Sequence, residues 1–178
     1  MNKKLGTLFV VSTPIGNLGD ITYRAIEVLK SVDYIAAEDT RHSRILLNHF
    51  NFKYSLLSYH ENNSSQQIPK ILNKINSGLD IALISDAGTP GISDPAYRLI
   101  REIIKNNTEI IPIPGASALL TAIMTSGLPT DRFIFEGFLP PKKGRKSRIE
   151  NIKSEGLEID IFIILSNKDN TFSFWINI

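Results

Sequence analysis

Along the first 115 positions, apolar residues come in short runs separated by amphipathic stretches. The runs "LFVVSTP" (8–14), "DYIAAED" (33–39), "YSLLSYH" (54–60), "DIALISDAG" (80–88) and "EIIPIPG" (109–115) have the length and β-branched content of strands. Helical spacing fits the intervals near 21–31, 41–50, 65–77 and 95–106. In the fourth of these, Ala96, Leu99, Ile100, Ile103 and Ile104 recur at i, i+3, i+4, i+7 and i+8, with Asp94 placed to cap the helix and Pro95 to occupy its first turn. Strands alternating with helices predict an α/β domain over residues 1–115, built on a five-stranded, mainly parallel sheet. After Gly115 the pattern predicts a helix (117–126), a Gly-Leu-Pro break, a strand (132–140), a basic loop, a helix (145–155) and a strand (159–166). About 60 residues are too few to cover a mixed sheet on both faces, so residues 116–178 read as an incomplete second α/β domain.

In open α/β sheets, ligands sit beyond the carboxyl ends of the strands. The loop "SDAGTPGISDP" (85–95) lies there, and it is more constrained than a plain turn requires. Gly88 and Gly91 permit positive φ and close approach of a ligand, Pro90 and Pro95 stiffen the path, and the Asp86 carboxylate can accept hydrogen bonds from a ligand hydroxyl or amine. "STPIGNLGD" (12–20) and "PIPGASA" (112–118) have the same character. Neither matches a Walker loop or a dinucleotide fingerprint. A small polar ligand held by three strand-end loops is therefore the simplest reading.

Composition narrows the chemistry. The chain has no cysteine, and His42, His49 and His60 lack metal-ligand spacing, so no metal site is expected. No apolar run approaches the ~20 residues of a membrane span, and the N-terminus leads into a strand pattern without a signal-like segment, which predicts a cytoplasmic protein with no membrane partner. Net charge is +2, yet "PPKKGRKSR" (140–148) carries Lys142, Lys143, Arg145, Lys146 and Arg148 without an acid. Removing those cations leaves the rest at −3, so the positive field is local. Such a run suits a polyanion, or is a solvated surface loop.

Six segments in order, "VSTPIGNLGDIT", "AAEDTRHS", "SYHENN", "LISDAGTPGISDP", "PIPGASA" and "FEGFLPPKKG", resemble the ribosomal RNA small subunit methyltransferase I family of the tetrapyrrole-methylase superfamily. The resemblance implies a two-domain tetrapyrrole-methylase fold, a homodimer, and transfer of a methyl group from S-adenosyl-L-methionine to the ribose 2′-hydroxyl of a cytidine in 16S rRNA of the 30S subunit. By motif position it implies cofactor contacts at Pro14, Ile15, Asp86, Gly88, Thr89, Ser117 and Ala118. A ribose hydroxyl is a weak nucleophile that a nearby base assists, and His60 and Glu61, after the third strand, are the catalytic candidates; alternatively His60 bonds a backbone group. Arg41 either grips an RNA phosphate or pairs with Glu38 or Asp39, and the basic residues from Lys142 to Arg148 are the further RNA candidates. Family members continue well past this terminus, and where they carry a Tyr-Glu-Ser-Pro-His-Arg-like segment this chain reads "LSNKDNTFSFW". That predicts a C-terminally shortened form. The alternatives are another methylase of the superfamily or a remnant that binds RNA without catalysis.

Overall fold

The computed structural model describes residues 4–138, 140, 142–154, 160–166 and 172–177. It divides into two compact units, Met1–Ala116 and Ser117–Ile178. The first holds strands β1 (Leu8–Val11), β2 (Tyr34–Ala37), β3 (Leu56–Ser58), β4 (Ile81–Ile84) and β5 (Ile110–Ile113), in spatial order β3-β2-β4-β1-β5. Every pairing among them is parallel. The connections are α1 (Tyr23–Ser31), α2 (Thr40–His49), α3 (Ser64–Asn76) and α4 (Ala96–Lys105). All the strands are shorter than the apolar runs suggested, because the run ends peel away into loops.

A parallel sheet needs cover on both faces, and the period of two along β4 supplies it. Ile81 and Leu83 pack with Ile71 and Ile75 of α3 and with Leu99 and Ile103 of α4. Ala82 and Ile84 pack on the other side with Ala25 and Leu29 of α1 and Leu47 of α2. Each fully buried Leu or Ile contributes about 1.5–3 kcal/mol relative to exposure, so the two layers together hold the sheet. The edge strand β5 tolerates Pro112, which has no N–H to give.

The start of α4 corrects the sequence reading by one residue. Pro95 occupies the capping position instead of the first turn, and Asp94 precedes it. The Asp94 carboxylate still performs the cap: Oδ1 accepts from Ala96 N–H at 2.7 Å and from Gly91 N–H at 2.8 Å. Asp94→Ala leaves both donors without that acceptor and is expected to cost about 1–2 kcal/mol. Urea denaturation of the variant checks this, and an unchanged midpoint contradicts it.

The second unit contains α5 (Ala118–Thr125), β6 (Phe133–Phe135), α6 (Lys142–Ser154), β7 (Asp160–Ser166) and β8 (Phe172–Asn177). Its sheet runs β6-β7-β8, parallel across the first pair and antiparallel across the second. Strand β8 went unread in the sequence. The basic stretch read as a loop leads into α6: Lys143 is extended, Gly144 turns the chain at φ +94°, and the regular helix follows.

Candidate functional site

Helices α1 and α2 cover one face of the sheet, and α3 and α4 cover the other. The chain therefore leaves β4 toward the opposite face from β1 and β2, its two neighbours, the topology in which ligands bind beyond the carboxyl ends of the strands.

On the β1 side the loops are stitched together. Thr13 N–H donates to Gly88 O at 2.9 Å, and Gly88 N–H donates back to Thr13 O at 3.1 Å. The Thr13 hydroxyl donates to Ser85 O at 3.2 Å, while the Ser12 and Thr89 hydroxyls meet at 3.1 Å. Gly88 has φ +80°, and a Cβ there would lie 3.3 Å from Ile15 Cγ2. The loop after β5 closes on the same point, since a Cβ on Gly115 would stand 2.9 Å from Ser12 Cβ. Ile15, Gly88 and Thr89, all named from sequence, thus lie beside Ser12 and Thr13, and Pro14 next to them in the chain is buried. Ser12, where the three loops converge, was not singled out; its signal was the "ST" ending the first apolar run. Ser117 and Ala118 open α5 in the second unit, where the Ser117 hydroxyl accepts from Leu120 N–H at 3.3 Å.

On the β2 side, Asp86 Oδ1 accepts from Asp39 N–H at 3.0 Å. Asp86 thereby ties two loops together, a role beyond the ligand contact read from sequence. Asp39 in turn clasps Arg41, accepting from its backbone N–H at 2.8 Å, from Nε at 3.1 Å and from Nη2 at 2.8 Å. Those bonds hold the Asp39 carboxyl far below the usual carboxylate range. In the folded chain Arg41 pairs with Asp39.

Glu38 lines a cavity of about 10 Å³ with Tyr59, Ser85, Asp94 and Pro95. That is close to the space one water needs. The Tyr59 hydroxyl donates to Pro95 O at 3.1 Å, and burial pushes the phenol pKa up. Burial also raises Glu38, helped by the negative charges of Asp86 and Asp94 and opposed by His60. Asp94 is raised by burial against its two backbone hydrogen bonds.

A carboxyl raised on folding binds its proton more tightly in the folded state. Stability is then lost as pH climbs from the unfolded pKa through the folded one. Glu38→Gln removes that loss, so the variant should gain on the wild type across this window and hold its advantage at neutral pH. Glu38 is only half-buried, and screening keeps the gain below about 1 kcal/mol. Melting temperatures from pH 4 to 8 test this; a difference independent of pH contradicts it.

His60 stands beyond the end of β3, opening a single turn, Glu61–Asn63, with its backbone N–H donating to Asn63 Oδ1 at 2.9 Å. Glu61 forms an ion pair with Arg98 of α4 at 2.7 Å. The basic stretch is partly neutralised as well: Arg148 pairs with Glu136, and Lys146 lies 3.8 Å from Glu150. Arg145 Nε donates to Pro140 O, and Lys143 is exposed. The Lys142 side chain lies outside the described residues. Among the described residues no cluster of three or more His, Asp or Glu could hold a metal, and no helix is long and apolar enough to cross a membrane.

The family description "Tetrapyrrole (Corrin/Porphyrin) Methylases" matches residues 7–171. Relatives named ribosomal RNA small subunit methyltransferase I include one from Synechocystis sp., 50% identical over 89% of this chain and 57% of its own length. Another, from Buchnera aphidicola, is 49% identical over 93% of this chain and 57% of its own. A third, from Escherichia coli O157:H7, is 50% identical over 84% and 53%. The chain spans about half the length of the curated relatives it matches. Among solved structures, a conserved hypothetical protein from Aeropyrum pernix K1 superposes with TM-score 0.70 over 96% of this chain and 61% of its own, at 17% identity. Diphthine synthase superposes with TM-score 0.69 over 92% and 65%, at 14% identity, and both likenesses concern the fold.

Proposed function

The chain belongs to the tetrapyrrole (corrin/porphyrin) methylase family, and on that premise we propose that it binds S-adenosyl-L-methionine at the strand-end loops and methylates a cytidine 2′-hydroxyl of 16S rRNA. The observation that carries this reading is the meeting of three loops at Ser12, with glycines at positions 88 and 115 where a larger side chain would crowd Ile15 or Ser12. Backbone so closely packed offers a narrow, preformed wall to a flat adenosine-like group, and the residues present fit it. Pro14, Ile15, Gly88 and Thr89 would line that wall, with Asp86 holding its neighbouring loop, and Ser117 and Ala118 remain cofactor contacts of the same reading.

When bound, the cofactor supplies an electrophilic methyl group on a sulfonium. The chain's part is alignment and exclusion of water, which lower the barrier to an in-line displacement without a covalent intermediate. His60, whose charge opposes the burial that raises Glu38, is the group we assign to receive the ribose proton. Glu61, the second catalytic candidate, lies in the same turn and pairs with Arg98.

The identity to the rRNA methyltransferases supports the rRNA substrate. The motif resemblance supports a cytoplasmic homodimer acting on the 30S subunit, and sedimentation at twice the monomer mass checks the pairing. Labelled methyl transfer to unmodified small subunits, mapped to a cytidine 2′-oxygen, is the expected activity. Transfer to a porphyrin or protein acceptor instead, or none, contradicts it.

A further inference from the structure

Residues 40–60 contain no Asp or Glu, yet carry Arg41, Arg44 and Lys53 together with His42, His49 and His60. The structure arranges most of this stretch as one surface. In α2, Ser43, Leu46 and Leu47 turn inward, leaving Arg41, Arg44, Asn48 and His49 exposed. Beyond the helix, Asn51 at φ +52° reverses the chain and sets Lys53 on the surface. Lys30 of α1 joins this end, its Nζ 5.8 Å from the Phe52 ring. Tyr54 pins the same end by donating its hydroxyl to Asn48 Oδ1 at 2.9 Å, which leaves the Asn48 amide N–H groups as donors.

The opposite end abuts the candidate site. Arg41 follows Asp39, whose N–H is bound by Asp86. With Nε and Nη2 held by Asp39 and the side chain 87% exposed, the guanidinium is fixed with its remaining N–H groups toward solvent. A ten-residue helix is about 15 Å long, room for several phosphates of one strand. The stretch 142–148, richer in cations, has Arg148 and Lys146 facing Glu136 and Glu150.

We propose that the exposed face of α2, from Arg41 to Lys53, is the principal surface on which the RNA backbone docks, leading the strand to the carboxyl end of the sheet. This rests on the rRNA substrate proposed above, and its test separates the two. Binding of the whole chain to a fluorescent stem-loop of the small-subunit decoding region is followed by anisotropy against salt. Calorimetry with S-adenosyl-L-methionine runs alongside.

The double variant Arg44→Glu/Lys53→Glu should bind at least about tenfold more weakly and lower the slope of log K against log salt by about 1 per lost phosphate contact. Its cofactor binding should be unchanged, which shows the fold intact. Lys143→Glu/Arg145→Glu should weaken RNA binding less. Equal binding by the α2 variant and the wild type, or a larger loss from the 143/145 variant, overturns the surface while leaving the substrate reading standing. Failure of the wild type to bind this RNA, or equal affinity for polyglutamate, overturns both.

Discussion

Gly88→Val is expected to abolish measurable binding of S-adenosyl-L-methionine, a loss above about 100-fold, and to lower stability by about 2–3 kcal/mol. Two independent effects combine. At φ +80° a β-branched residue is strained, and its side chain would start 3.3 Å from Ile15 Cγ2 and 3.8 Å from Ala116 O. Relief of either contact moves the residue whose N–H and C=O both bond Thr13, so the loops after β1 and β4 separate together. Gly88→Ala carries the φ strain with less bulk and should fall between the two. A Gly88→Val protein that binds cofactor like the wild type would show that the paired loops are not the cradle.

Asp86 gives the second large effect, and two substitutions separate its roles. Asp86→Ala removes the acceptor for Asp39 N–H, releasing the loop after β2 at an expected cost of about 1–2 kcal/mol. Cofactor affinity should fall by about 10–100-fold, since an alignment held by one hydrogen bond is lost with it. Asp86→Asn keeps a carbonyl oxygen for Asp39 N–H while removing the charge. If the tie between loops is what matters, Asn at this position retains affinity within about threefold of the wild type, a difference below 1 kcal/mol. Equal losses from Asn and Ala would instead assign Asp86 a direct charged contact with the ligand. Titration of both variants with the same cofactor decides between these outcomes.

The layered α/β fold was legible because β4 is apolar on both faces and α4 on one, and such periods survive whatever the tertiary context. The loops after β1, β4 and β5 were legible as constrained turns, because Gly, Pro and Asp cluster after each strand. Strand order was not legible. Nothing local in "LFVV" places β1 between β4 and β5, and without that placement Ser12 cannot be recognised as the meeting point of three loops.

Charge pairing was equally hidden. The Asp86 carboxylate accepts from a backbone N–H 47 residues away, and the Arg148 cation finds Glu136 across 12. Counting cations along the chain therefore favoured 142–148, while the basic exposed face of α2 emerged only once its buried side was known. Glu61 is a further case: its ion pair with Arg98 joins residues 37 apart, which no local pattern announces. The reading of β3 as running to His60 failed because an edge strand of three residues ends where its partner β2 does, at the pair Ala37 and Ser58.

We propose that the loops after β1, β4 and β5 form a preorganised S-adenosyl-L-methionine site within this chain. Isothermal titration of the purified chain with that compound is the decisive measurement. One equivalent bound with micromolar affinity, about −8 kcal/mol, and lost in Gly88→Val is the predicted result. A folded chain that gives no binding heat at several temperatures, or binding undiminished in Gly88→Val, would contradict it.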